Sequence, residues 1–115
     1  MLDTTVLRLL KYRDKYDLYH RAVPEEALEA HTRVLLKDLG RFFEETDTPV
    51  ASPDVFGPWF KLARPRLKPE SASALQKIIT NMGPDVPESV EVGILARLED
   101  ARQALTLTGG LERYQ

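Results

Sequence analysis

The chain has no cysteine. That excludes disulfides, thiolate nucleophiles and cysteine metal clusters, and it agrees with a reducing compartment. Histidine occurs twice, at His20 and His31, whereas a zinc site takes three or four ligands, so no metal site is expected. Nowhere does Gly-x-x-x-x-Gly-Lys-Ser/Thr occur, so the chain cannot cradle a nucleotide phosphate in that way. Ser71, Ser73 and Thr80 have no histidine close in sequence to act as a base. No apolar run approaches the ~20 residues that cross a bilayer. Met1 to Leu10 lacks the basic, apolar and small order of a signal peptide. No catalytic residue, cofactor or membrane contact is expected, and the expected location is the cytoplasm.

Neither sign of charge dominates. The net charge is −2 over 115 residues, which lacks the basic excess of a dedicated nucleic-acid binder. The charge is unevenly placed, however. Residues 1–21 sum to +2, 22–50 to −4, 51–68 to +3 and 69–115 to −3. Such blocks attract one another or form distinct patches for partners. The hydrophobic fraction of 43% is enough to build a core in a chain of this length.

What the chain does have is proline, eight times, placed where helices begin. Pro24, Pro53, Pro69 and Pro87 each precede an acidic residue and a helical run. Proline at a first helical position wastes no hydrogen bond, and carboxylates there face the positive end of the helix dipole. The pattern predicts an all-α fold: one bundle of about five helices with short proline-marked connections, and no period-two stretch that reads as a strand.

The first predicted helix runs from Asp3 or Thr4 to about His20. Leu2, Val6, Leu9, Leu10 and Tyr16 share one face, while Leu7 and Leu18 lie on another. A helix apolar on two sides is central in a bundle or touches a second chain. The second opens at Pro24 and carries the strongest stripe: Leu28, Leu35, Leu36, Leu39, Phe42 and Phe43. Gly40 lies inside it, where a missing side chain permits a close crossing. Glu44, Glu45 and Asp47 oppose the dipole, so fraying is expected there. The third, from Ser52-Pro53-Asp54, carries Val55, Phe56, Trp59, Phe60 and Leu62, with a kink or late start expected at Pro58. The fourth runs from Pro69-Glu70 to Gly83-Pro84, with Ala72, Leu75, Ile78, Ile79 and Met82 inward. The fifth opens at Pro87-Glu88, carries Val90, Ile94, Leu98, Ala101 and Leu105, and closes at Gly109-Gly110. The second and fifth should form the packing spine. The predicted division is a helical interaction domain over residues 1–108 and the start of a linker or tail over 109–115.

Two basic segments are the candidate binding residues. Arg8, Lys11, Tyr12 and Lys15 interleave cations with an aromatic ring along one helix strip, a pattern that meets phosphates and stacks bases. The competing reading is a solvated basic edge. Arg64, Arg66 and Lys68 form a proline-stiffened basic loop, suited to a phosphate or an acidic partner surface. Trp59, with Phe42, Phe43, Phe56 and Phe60, reads as core; exposed, it would be an interface anchor. Glu25, Glu26 and Glu29 read as dipole partners rather than catalytic acids.

Several segments together resemble one family. They are Leu9-Leu10-Lys11-Tyr12-Arg13-Asp14-Lys15-Tyr16, Val23-Pro24, Thr32-Arg33-Val34-Leu35-Leu36-Lys37-Asp38-Leu39-Gly40-Arg41-Phe42-Phe43, Trp59-Phe60 and Arg64-Pro65-Arg66-Leu67. This order is similar to the amino-terminal region of phage-encoded replicative helicases of the DnaB type. The resemblance implies a small helical domain that precedes a linker and a RecA-like ATPase domain, and that associates into a collar. It also implies contact with primase or a helicase loader, homo-oligomerisation, possible DNA contact and a bacterial host cytoplasm. The alternatives are a small nucleic-acid-binding helical domain and an adaptor for a host protein.

Overall fold

Two helix C-termini in this chain, at Glu45 and Asn81, are held by cations from distant segments. The computed structural model describes the backbone of residues 2–113 and the side chains of residues 2–105. Six α-helices follow in order: α1 (Leu2–Leu10), α2 (Arg13–Tyr19), α3 (Ala30–Glu45), α4 (Pro53–Ala63), α5 (Pro69–Asn81) and α6 (Glu88–Arg113). Two 3-10 turns, His20–Ala22 and Glu25–Ala27, join α2 to α3. No strand occurs among the described residues. The architecture is the all-α bundle that the proline spacing predicts.

The first predicted helix is in fact two. Tyr12 is extended, with φ −87° and ψ 126°, and pairs with Val50 in an isolated antiparallel bridge. Arg13 N–H donates to the Pro49 carbonyl at 2.9 Å, and Ala51 N–H donates to the Lys11 carbonyl at 2.7 Å. The 49–51 loop thus replaces helical bonds that the break removes. Val6, Leu7, Leu9 and Leu10 are all buried, so α1 is central, as two-sided apolarity predicts.

The second predicted helix also starts late. Pro24 precedes only a 3-10 turn, and α3 begins at Ala30. Its N-terminus is capped from another helix. Asp3 accepts from Glu29 N–H at 2.8 Å and from the Thr32 hydroxyl at 2.6 Å, satisfying donors that no local side chain reaches. At the other end, where fraying is expected, α3 stays helical through Glu45. Arg13 donates to the Thr46 and Thr48 carbonyls, and its guanidinium lies 5.0 Å from the Phe43 ring. A cation there offsets Glu44, Glu45 and Asp47. Both ends of α3 are therefore fixed by the first thirteen residues.

The α3 stripe is buried as its spacing predicts, with Leu28, Leu35, Leu36, Leu39, Phe42 and Phe43 all in the core. At Gly40 an added Cβ would collide with the Tyr16 hydroxyl, so the glycine admits α2 at close range. Phe42 meets Phe56 and Trp59 edge-on, each at 5.5 Å between ring centres. Helix α4 runs through Pro58 without interruption, since it spans Pro53–Ala63. Helix α5 matches its expected bounds, with Leu75, Ile79 and Met82 buried but Ala72 and Ile78 only partly so.

Helix α6 departs most from expectation. Its backbone continues through Gly109-Gly110 to Arg113, rather than closing there. The predicted tail residues Tyr114 and Gln115 lie outside the described residues. At 26 residues it is about 39 Å long, and the molecule measures 48 × 35 × 28 Å. Its radius of gyration is 15.1 Å, against about 13 Å for a compact chain of this length. The main neighbours of α6 are α2 and the turn at residues 20–22, whereas α3 packs on α1, α4 and α5. Of the two helices expected to form the packing spine, α3 therefore lies in the core, against α1, α4 and α5, whereas α6 flanks the body.

Candidate interaction surface

The basic strip on α1 and α2 is turned inward. Lys11 is only 3% exposed. Its ammonium donates to the Met82, Gly83 and Pro84 carbonyls at 3.1, 2.6 and 3.3 Å and pairs with Asp85 at 2.8 Å. Beside it, the Arg8 guanidinium donates to the Asn81 carbonyl at 2.8 Å. These carbonyls lie at the C-terminus of α5 and just beyond, where the helix leaves acceptors unpaired and its dipole favours a cation. Lys15 pairs with Glu91 of α6. Tyr12 donates its hydroxyl proton to Asp85 at 2.5 Å. That bond, which needs the neutral phenol, pushes the Tyr12 pKa up to about 12, with burial second. The Lys11 ammonium, followed by the Tyr12 hydroxyl, holds the Asp85 carboxyl below its ordinary range.

Arg8, Lys11, Tyr12 and Lys15 are therefore brought together, but as a clamp on the α5–α6 connection. Each of the four side chains has a partner within the fold. An open cleft of about 420 Å³ lies beside them, bordered by Tyr12, Lys15, Asp85 and Glu91, and its charges face one another.

The second basic segment divides. Arg64 makes a bidentate ion pair with Asp38, at 2.5 and 2.9 Å, and Asp38 is fully buried in α3. That hydrogen-bonded carboxylate raises the already high Arg64 pKa. Arg66 and Lys68 remain exposed. The two basic segments do not meet: the 64–68 loop enters the N-terminus of α5, while Arg8 and Lys11 hold its C-terminus. Thirteen residues separate those ends by about 18 Å.

His20 stacks on Tyr16 at 4.5 Å between ring centres, and His31 is exposed. Among the described residues no group of three or more His, Asp or Glu could hold a metal. Nor, among the described residues, is any helix long and apolar enough to cross a membrane.

What the body leaves uncovered is aliphatic. On α4, Phe56 and Phe60 point into the core, while Val55 is 44% and Leu62 83% exposed. Pro58 is exposed between them, and Trp59 sits at the edge, its indole N–H donating to Glu45 at 3.2 Å. Trp59 thus belongs partly to the core and partly to the rim of this ridge. On α6 no residue over 88–105 is fully buried, and Val92 is 66% exposed. Helical periodicity separates Val55 and Leu62 from Phe56 and Phe60 in the sequence. The partners Asp3, Asp38 and Asp85 carry no such signal, because each acts on a helix distant in the chain.

No family model matches the chain, and neither does any curated protein or any solved structure.

Proposed function

We propose that this chain is a non-catalytic interaction domain, the amino-terminal domain of a phage DnaB-type replicative helicase, that self-associates and contacts primase or a helicase loader in the host cytoplasm. The carrying observation is a contrast. Most charged groups of the first basic strip are consumed within the fold, while aliphatic side chains on α4 and α6 are left in water. A surface of that kind recruits protein rather than nucleic acid. The order of segments from Leu9 to Leu67 adds the family. DNA contact draws less support, because Arg8, Lys11 and Lys15 are already paired.

Calorimetric titration of the chain with the primase and the loader of the same replication system tests this reading. Saturable binding to either supports it. Binding to neither, with a reading frame that encodes no phosphate loop, overturns it in favour of an adaptor.

A further inference from the structure

Two uncovered surfaces on this chain fit each other. The first is the α4 ridge. Val55, Pro58 and Leu62 fall at i, i+3 and i+7, so they share one face. Leu62 is the most exposed large hydrophobic side chain among the described residues. Lys61, Arg66 and Lys68 are exposed around its C-terminal end.

The second is a trough on α6. Gly93, Ala96, Arg97 and Asp100 fall at i, i+3, i+4 and i+7, the four corners of a hole on a helix surface. All four are exposed. A Cβ added at Gly93 meets nothing, so the hole is open. Val92 and the half-exposed Val90 rim it, and the exposed Glu88 and Asp100 outnumber Arg97 in charge.

Shape and charge are complementary. A leucine knob faces a hole with glycine and alanine at two corners and Arg97 and Asp100 at the other two. Exposed Lys61, Arg66 and Lys68 give the C-terminal end of the ridge a positive charge, and exposed Glu88 and Asp100 outweigh Arg97 at the trough. Within one chain both stay exposed, so neither satisfies the other. The occupant that carries both halves is another copy.

We propose that each copy seats its α4 ridge, led by Leu62, in the α6 trough at Gly93 and Ala96 of the next, in a head-to-tail contact. This rests on the reading of the chain as a self-associating domain. Such a contact is heterologous: it builds a ring if the rotation closes and an open chain if it does not.

Light scattering and sedimentation velocity on the full chain test it with two exposed-site variants. Leu62→Asp destroys the ridge, and Ala96→Arg fills the trough with the wrong sign. Each alone should weaken association at least about tenfold, with unchanged helicity and, at concentrations where the wild type is monomeric, an unchanged melting temperature. Their equimolar mixture should recover a heterodimer and nothing larger, because one intact ridge then meets one intact trough. Because the chain has no cysteine, Leu62→Cys in one copy and Ala96→Cys in another should cross-link on mixing. A wild type that stays monomeric overturns the contact, and the primase and loader titration then decides the wider reading. Association that survives either variant, or a mixture that stays monomeric, overturns the contact while leaving the interaction-domain reading intact.

Discussion

Helices α1 to α5 and helix α6 are stabilised in different ways. The first five interlock through groups that cap one another's ends: Asp3 on the N-terminus of α3, Arg13 on its C-terminus, and Arg8 and Lys11 on the C-terminus of α5. Each tie spans a long sequence separation, and no buried side-chain polar atom of the described residues is left unpaired. Helix α6 has one face half-covered by α2 and the adjoining turn, and no residue over 88–105 is fully buried. The body is built to be one state; α6 is built as a surface. Substitutions should therefore unfold the first and barely disturb the second.

The largest expected effect is at the aromatic centre. Phe42→Ala should cost about 3–5 kcal/mol in urea unfolding, since it removes a ring packed on Phe43, Phe56 and Trp59. Leu105→Ala on α6, half in water already, should cost under about 1 kcal/mol. Comparable losses at the two sites would break the distinction. Next comes the Asp38–Arg64 pair. Arg64→Met strands a carboxylate that is fully buried and should cost about 3 kcal/mol. Adding Asp38→Leu should recover part of the loss, and a double variant worse than the single would contradict the assignment. Lys11→Met leaves three carbonyls without their donor and should cost about 1–3 kcal/mol. Arg97→Met on exposed α6 should lie within about 0.5 kcal/mol of wild type.

How much of this was legible in the sequence follows the range of the interactions. Helix content, the α3 stripe and the bounds of α5 are local patterns, and they read out of Leu35 to Phe43 and of Pro69 to Gly83. The break at Lys11-Tyr12 has no glycine or proline to mark it. It exists because the 49–51 loop supplies replacement hydrogen bonds and Lys11 reaches carbonyls about seventy residues away. The same cause hides the intramolecular partners of the basic strip from the sequence. Cations at helical spacing look alike whether they face solvent or another helix's C-terminus, and only the tertiary fold places Met82 to Asp85 against Lys11. Pro24 misleads for a simpler reason: proline suits the entry to a 3-10 turn as well as to an α-helix.

Two glycines sharpen the comparison by sign. Alanine is worth about 1 kcal/mol over glycine within a helix. Gly93→Ala on α6 should realise that gain in the monomer, since its Cβ meets nothing within the chain, and raise the melting temperature at concentrations where the chain is monomeric. Gly40→Ala should lower it. There the Cβ displaces the Tyr16 hydroxyl, which donates to the Leu36 carbonyl at 3.2 Å, and disturbs a ring stacked on His20. Equal shifts at both positions would mean that Tyr16 yields freely.

The smallest effects are those of pH, and their signs follow from the caps. Asp3 has its carboxyl pulled below its ordinary 3.8 by the Thr32 hydroxyl and then by the Glu29 N–H. Asp85 is lowered by Lys11 and then by Tyr12. A depressed carboxyl stabilises the folded state above its ordinary value, and that contribution is lost as pH falls through the depressed one. Tyr12 acts at the other extreme. Its phenol is held neutral up to about 12 in the fold, against 10 in the unfolded chain. Its contribution is complete below pH 10 and is lost as pH rises toward about 12. Asp85 is largely exposed, so salt screens its share. Asp85→Asn should flatten both limbs of the stability–pH curve, because it removes the partner that holds the Tyr12 phenol neutral. Asp3→Asn should flatten the acid limb alone. An alkaline limb that survives Asp85→Asn unchanged would show that the Tyr12–Asp85 hydrogen bond does not clamp the α5–α6 connection.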